Sequence, residues 1–263
     1  MNQQRYPTAI STSDLDSISL LGHDLAGDLL GKIGFGELAY WLATQRRPTP
    51  GQLRVFEAVL VSLADHGFTP TAIAARMTYY SAPDSIQGAI AAGLLGGGSR
   101  FLGVTEDTGQ FLHAVLSELG DASDMDDAAW DDVARRVVTE ARASGRKIPG
   151  LGHPVHKNGD PRTPVIITIA QEAGVYGPHL ALFEAIGRVH PDILGRALPL
   201  NGAGVGGAAL ADAGLPVDLL RGFALLARTA GLIGQIAEER THPIAPAIYD
   251  EVDRNADYRP PAG

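Results

Sequence analysis

An all-α fold is what this sequence predicts, on three observations. Apolar residues recur at helical spacing, strict apolar–polar alternation is almost absent, and proline repeatedly stands where a helix would open. Proline suits a first helical turn because its missing N–H would have no partner there and its φ is already helical. Thr49-Pro50 is the first such start; Leu53, Phe56, Leu60 and Leu63 follow on one face, predicting a helix over about Gln52 to Ala64. Thr69-Pro70 and Ala82-Pro83 mark the next starts, and the helix of Ile86 to Leu95 is expected to end at Gly96-Gly97-Gly98. Glu106 and Asp107 open the helix after it. The acidic run from Gly120 to Asp127 reads as an exposed linker plus helix cap, leading into Trp130, Val133, Val137 and Ala141. Asp160-Pro161, Gly177-Pro178 and Leu215-Pro216 mark later starts, and the tail beyond Asp253 reads as frayed.

Composition excludes several functions. The chain has 263 residues, room for one large domain or two small ones. It has no cysteine, which removes disulfides, thiolate nucleophiles and Cys-type zinc sites and fits a reducing compartment. A net charge of −9 with scattered basic residues argues against a nucleic-acid partner. The N-terminus, MNQQRYPTAISTSDLD, lacks the basic-then-apolar order of a signal peptide, so a cytoplasmic protein is expected. Leu219 to Ala237 is apolar, but Arg221, Arg228 and Gln235 interrupt it, which predicts a buried core helix and no membrane span. Histidine and carboxylate spacings offer no metal site.

The most informative stretch runs from Ile148 to Arg162, IPGLGHPVHKNGDPR. Gly150 and Gly152 let the backbone approach a ligand, while Pro154 and Pro161 stiffen the chain on either side of His153. GLGHPVH followed by DPR resembles the segment that citrate synthases, citryl-CoA lyases and the lyase portion of ATP-citrate lyase share. The resemblance extends from about Ser13 to Ile244, through Gly22-His23-Asp24-Leu25, Ala39-Tyr40-Trp41-Leu42, Ala64-Asp65-His66-Gly67, Ala227-Arg228-Thr229-Ala230-Gly231 and Glu238-Glu239-Arg240-Thr241-His242-Pro243-Ile244. Overall it points to the short, stand-alone citryl-CoA lyase type, since full-length citrate synthases carry a longer N-terminal region.

The resemblance implies a helical fold with a large domain, 1–149 and 238–263, and a small one, 150–237, paired as a homodimer. It implies His153 as catalytic residue, with His66, Arg100, Arg162 and Arg228 binding carboxylates and Arg240 or His242 contributing across the dimer interface. Leu151, Gly152, Val155, His156 and Lys157 are expected to face coenzyme A, which enters as a thioester substrate and not as a permanently bound cofactor. Two positions depart from the pattern. Phe101 stands where synthases carry a histidine, a replacement associated with the lyase branch. Ala203, in Leu200-Asn201-Gly202-Ala203-Gly204-Val205-Gly206-Gly207, stands where the family places its essential aspartate, which leaves Glu106 as the first surrogate acid.

Plain alternatives accompany these assignments. Arg162 is also readable as a surface arginine after a turn, and His66 as a helix-end histidine favoured by the dipole. Arg228 is readable as a structural partner of Asp212, Asp218 or Glu184, and the His156–Lys157 pair as solvated. The glycines from 202 to 207 imitate a phosphate cradle, but no predicted strand precedes them, and close helix packing explains them equally well. A titratable histidine suits a retro-aldol base, with arginines clamping carboxylates. The expected function is therefore cleavage of citryl-CoA or a related 3-hydroxy-acyl thioester. A non-catalytic acyl-CoA- or carboxylate-binding relative and a condensing enzyme are the alternatives.

Overall fold

The computed structural model describes residues 5–120, 122 and 124–261. Helices dominate, as expected, but the described chain opens with a small sheet that sequence patterning missed. Strands β1 (Ser11–Ser13), β2 (Ile18–Leu20) and β3 (His23–Asp24) pair antiparallel in that order, with Ser11 opposite Leu20 and Leu20 opposite His23. Strands of two or three residues are too short to show alternation, so the pattern carried no signal. A single π-helical turn, Leu25–Leu29, follows.

Eleven α-helices make up the rest of the described structure. Helix α1 spans Phe35–Thr44, and α2, Pro50–Leu63, starts at the predicted proline. There Thr49 accepts from the Gln52 N–H while the Gln52 side chain accepts from the Thr49 N–H, satisfying two donors that a helix start leaves free. Helix α3, Pro70–Ser81, is capped by Thr69, whose hydroxyl accepts from the Ala72 N–H without the reciprocal bond. Pro83 ends α3 and does not open α4: the residue before a proline is driven out of the helical region, and Ala82 has left it. Helix α4 begins at Ile86 after Ser85 and ends at Leu95, ahead of the glycines. Helices α5 (Val104–Leu119), α6 (Asp127–Ala143, capped by Asp126), α7 (Arg162–Glu172) and α8 (Pro178–Leu194) follow. In the acidic linker, Asp121 and Ser123 lie outside the described residues, as do the first four residues of the stretch read for a signal peptide. Helix α9 spans Gly202–Asp212, α10 Leu220–Thr241 and α11 Ala245–Arg254. Pro216 lies in the turn before α10, whose first residue comes four positions later.

Helix α9 is the hub of the core: Val205 through Leu210 are all buried, among Val59, Leu63, Leu112, Phe183 and Leu220. Its glycines are there for packing. A Cβ on Gly204 would lie 2.5 Å from the Gly150 Cα, and one on Gly207 would lie 2.1 Å from the Thr105 carbonyl. Backbone therefore meets backbone at both places, which brings the 148–152 loop and α5 against α9. Helix α10 is the expected core helix, with Leu220, Phe223, Ala227, Arg228 and Leu232 buried. Among the described residues no helix is long and apolar enough to cross a membrane.

Candidate active site

Backbone pairing builds the site before any side chain enters it. The Gly152 N–H donates to the Pro199 carbonyl at 2.7 Å, and the Asn201 N–H to the Gly150 carbonyl at 2.9 Å. The Asn201 side chain joins the two segments: Nδ2 donates to the Gly152 carbonyl at 2.7 Å, while Oδ1 accepts from the Gly204 N–H and caps α9. Gly152 adopts φ +93° with open space where a Cβ would sit, so the left-handed backbone, not crowding, calls for glycine. Sequence reading passed over Asn201; an asparagine directly before a small-residue helix is the cap signature that would have found it.

His153 is held through its own loop. Its Nδ1 accepts from the Val155 N–H at 3.0 Å and the His156 N–H at 2.9 Å. Nδ1 must then keep its lone pair, so the neutral ring carries its hydrogen on Nε2, which is left as a donor. This revises the expectation that His153 acts as a base, since protonating it would set Nδ1–H against two backbone donors. Burial, then the neighbouring His156, pushes its pKa below the usual histidine value.

Three imidazoles converge here. His66 lies just past the end of α2, with its Nε2 3.4 Å from the His156 Nε2. Its ring centroid is 5.6 Å from that of His153, and the His153 and His156 centroids are 4.4 Å apart. One ligating nitrogen from each falls within 4.8 Å of the others, a spacing that can take a metal ion and that no sequence spacing announced. The His153 Nδ1 lone pair is already engaged by two N–H groups, which leaves His66 and His156 as the ready ligands.

Arg162 and Arg228 grip adjacent carbonyls at the end of α2. Arg162 Nη1 donates to Ser62 O at 3.1 Å, and Arg228 Nε and Nη2 donate to Leu63 O at 3.2 and 3.1 Å. Arg162 is no surface arginine, for its Nε and Nη2 form a fork on Asp160 at 2.9 and 2.7 Å. Asp160 is buried and also accepts from the Gly202 N–H at 2.7 Å. Burial alone would raise this carboxyl; the hydrogen bonds from Arg162 and Gly202 outweigh it and hold the group well below the ordinary carboxylate range. Sequence reading gave Asp160 no role, although its place two residues before Arg162 in the DPR motif was the available signal.

Arg228 is 5% exposed. None of the partners offered for it forms. Asp212 accepts from the Gly177, His179 and Leu180 N–H groups and pairs with the His179 ring, and Glu184 accepts from Tyr176. The remaining contact of Arg228 is Nη1 to Thr69 Oγ1 at 3.4 Å. Burial pushes its pKa down, partly offset by the field of Asp65.

Other expected site residues lie elsewhere. Glu106 accepts from the Arg221 N–H at 3.2 Å and sits 3.6 Å from Arg221 Nε, at the start of α10. Arg100 is exposed in the turn before Phe101. Arg240 and His242 are exposed at the far end of α10, and Arg240 is twelve residues beyond Arg228, roughly 18 Å along a helix axis. Neither lies beside Arg228 within one chain. Ala203 is half-buried in the first turn of α9, beside the Gly202 N–H that holds Asp160. Of the residues expected at coenzyme A, Val155 and Lys157 are exposed, and Lys157 Nζ donates to the His153 carbonyl. His156 instead turns toward His66.

Residues 12–247 match the family model of the citrate synthase C-terminal domain. The chain is 29% identical over 227 residues to the citrate synthase of Deinococcus radiodurans, covering 82% of this chain and 55% of that protein. It spans about half the length of the curated relatives it matches. The citryl-CoA lyase of Hydrogenobacter thermophilus superposes with a TM-score of 0.83 at 30% identity, covering 99% of this chain and 97% of that one. An ATP citrate lyase from Methanothrix soehngenii, solved with citrate and coenzyme A, gives 0.81 at 23% identity over 100% of this chain and 43% of its own, a likeness of fold.

Proposed function

The chain belongs to the citrate synthase family, and from that premise we propose that it is a carbon–carbon lyase cleaving citryl-CoA, or a related 3-hydroxy-acyl-CoA, to an acyl-CoA and an oxo acid. One observation carries the reading: Arg228 is a buried guanidinium with no carboxylate in ion-pair range among the described residues, aimed at the end of α2 where His66 and Arg162 also converge. A buried charge without a counter-ion is costly, so the pocket favours an anionic ligand. A substrate carboxylate fits the arrangement, held by Arg228 and the imidazoles, with Arg162 fixed by Asp160 at its edge.

In the retro-aldol step the tertiary hydroxyl loses its proton, the carbon–carbon bond breaks, and its electron pair moves into the thioester to form an enolate. The oxygen left behind becomes the oxo-acid carbonyl. His153, with hydrogen on Nε2, donates to that oxygen as charge develops on it. The enolate then needs a proton. Glu106 was the first surrogate for the aspartate missing at 203, but its pairing with Arg221 favours a solvent proton instead. Glu106→Gln distinguishes the two: a loss of cleavage of about 10²-fold assigns the acid role to Glu106, and near-unchanged cleavage assigns it to solvent.

Abstracting a proton from an acyl-CoA is harder than quenching a released enolate. We therefore expect Ala203 to impair condensation far more than cleavage, with Ala203→Asp raising the condensation rate the more. Purified protein assayed in both directions tests this; equal rates in the unaltered protein would remove it. Residues 150–237 as a small moving domain, and a homodimer completed by Arg240 or His242, belong to the same proposal.

A further inference from the structure

One face of α10 runs along the end of α2 residue by residue. Arg228 takes the Leu63 carbonyl, a Cβ on Gly231 would lie 1.9 Å from the Ala64 carbonyl oxygen, and Gln235 Nε2 donates to Asp65 Oδ1 at 3.0 Å. Helix positions three and four apart share a face, so Leu63, Ala64 and Asp65 meet successive positions of that face. Asp65 is the carboxylate whose charge acts on Arg228, yet its oxygens bond elsewhere: Oδ1 accepts from Gln235, and Oδ2 from the Gly67 N–H at 2.8 Å. We propose, resting on the reading of this pocket as a carboxylate site, that Gln235 is a positioning residue: it holds Asp65 off Arg228 and so keeps the guanidinium open to a substrate carboxylate.

The chemistry on either side of position 235 calls for an amide. Asp65, when ionised, only accepts; on the other side Arg76 Nε donates to Gln235 Oε1 at 2.7 Å, and a guanidinium only donates. A carboxylate at 235 would have no hydrogen for Asp65, and an ammonium no lone pair for Arg76. The Gln235 amide therefore has one orientation, and a buried network fixes it. Arg76 is fully buried and is held by Glu239 at 2.9 Å and by Glu238. Glu239 in turn accepts from the Ile244 and Ala245 N–H groups at the start of α11. Asp65 itself is exposed, so its carboxyl depends on these bonds for its position. Released from Gln235, it stands beside a buried cation that lacks a counter-ion, and an internal carboxylate then competes with the substrate for Arg228.

Calorimetric citrate binding by the full chain, Gln235→Met, Asp65→Asn and the double variant tests this, with thermal melts checking that each folds. Gln235→Met should bind citrate about tenfold more weakly, and adding Asp65→Asn should restore most of that affinity, because a neutral amide is a poor rival for the guanidinium. The gain from Asp65→Asn should be larger in the Gln235→Met background than in the unaltered protein, a coupling that a merely structural Gln235 would not show. Should Gln235→Met fail to fold, Gln235→Glu keeps the acceptor for Arg76, loses the donor to Asp65, and should show the same loss and the same recovery. Unchanged citrate binding without the Gln235 amide, or a loss that Asp65→Asn does not recover, overturns the assignment and leaves the carboxylate site standing. No citrate binding by the unaltered protein overturns the site and the assignment together.

Discussion

Arg228 and His153 make two predictions at the scale of single residues. Replacing Arg228 by Met removes a buried charge that no carboxylate pairs with directly, so Arg228→Met should leave the ligand-free protein as stable or more stable while weakening citrate binding about 10²-fold or more. Thermal melts with and without citrate, beside calorimetry, read both effects; a clearly destabilised variant would show that the bonds from Arg228 to the Leu63 carbonyl outweigh the cost of burying its charge. For His153, ring ¹⁵N spectra should show hydrogen on Nε2 and protonation only below pH about 6.5, the unperturbed value. Because its folded pKa is lowered, the unfolded chain protonates first as pH falls, and this histidine's contribution to stability is lost between about 6.5 and the lower folded pKa. A ring carrying hydrogen on Nδ1 would contradict the loop geometry. At this scale the sequence announced the residue types and not their roles: His66 and His156 are ninety positions apart, and only the fold places their nitrogens 3.4 Å from each other. Arg228 was legible as an oddity in an apolar helix, but its contact with the Leu63 carbonyl was not, because backbone partners leave no sequence trace.

Among the elements, α2, α3 and α8 began where proline and a preceding cap or glycine said they would, since those signals act within a few residues. Pro83 and Pro216 misled because proline also ends helices and shapes turns, and the difference lies in what its neighbours can pack against. The strands of the N-terminal sheet were too short to be read at all. Helix α9 carries the element-scale prediction. Gly204→Ala puts a methyl 2.5 Å from the Gly150 Cα and must push the His153 loop away from α9. Destabilisation of about 1–3 kcal/mol should follow, measured by denaturant unfolding, with activity falling further than stability. A variant of undiminished stability would mean that this backbone contact is looser than the geometry shows.

For the whole molecule, a chain with net charge −9 and scattered basic residues still brings Arg162 and Arg228 to the end of α2, beside a cluster of three histidines. Family membership accounts for the helical frame, and the retained cations, beside a lost aspartate, set the direction we propose for the chemistry. Arg240 and His242, remote from Arg228 along α10, have a role in that chemistry only across a subunit interface. Light scattering should therefore give a mass of twice 27.6 kDa or a higher multiple, and an active monomer would remove both residues from the site. The most direct measurement of the central claim is oxaloacetate release from citryl-CoA by the purified chain, beside His153→Ala. Release by the unaltered protein, lost in His153→Ala, is the predicted result. No release by the unaltered protein, with citrate and coenzyme A still bound, would contradict it and leave a binding relative that has given up catalysis along with its aspartate.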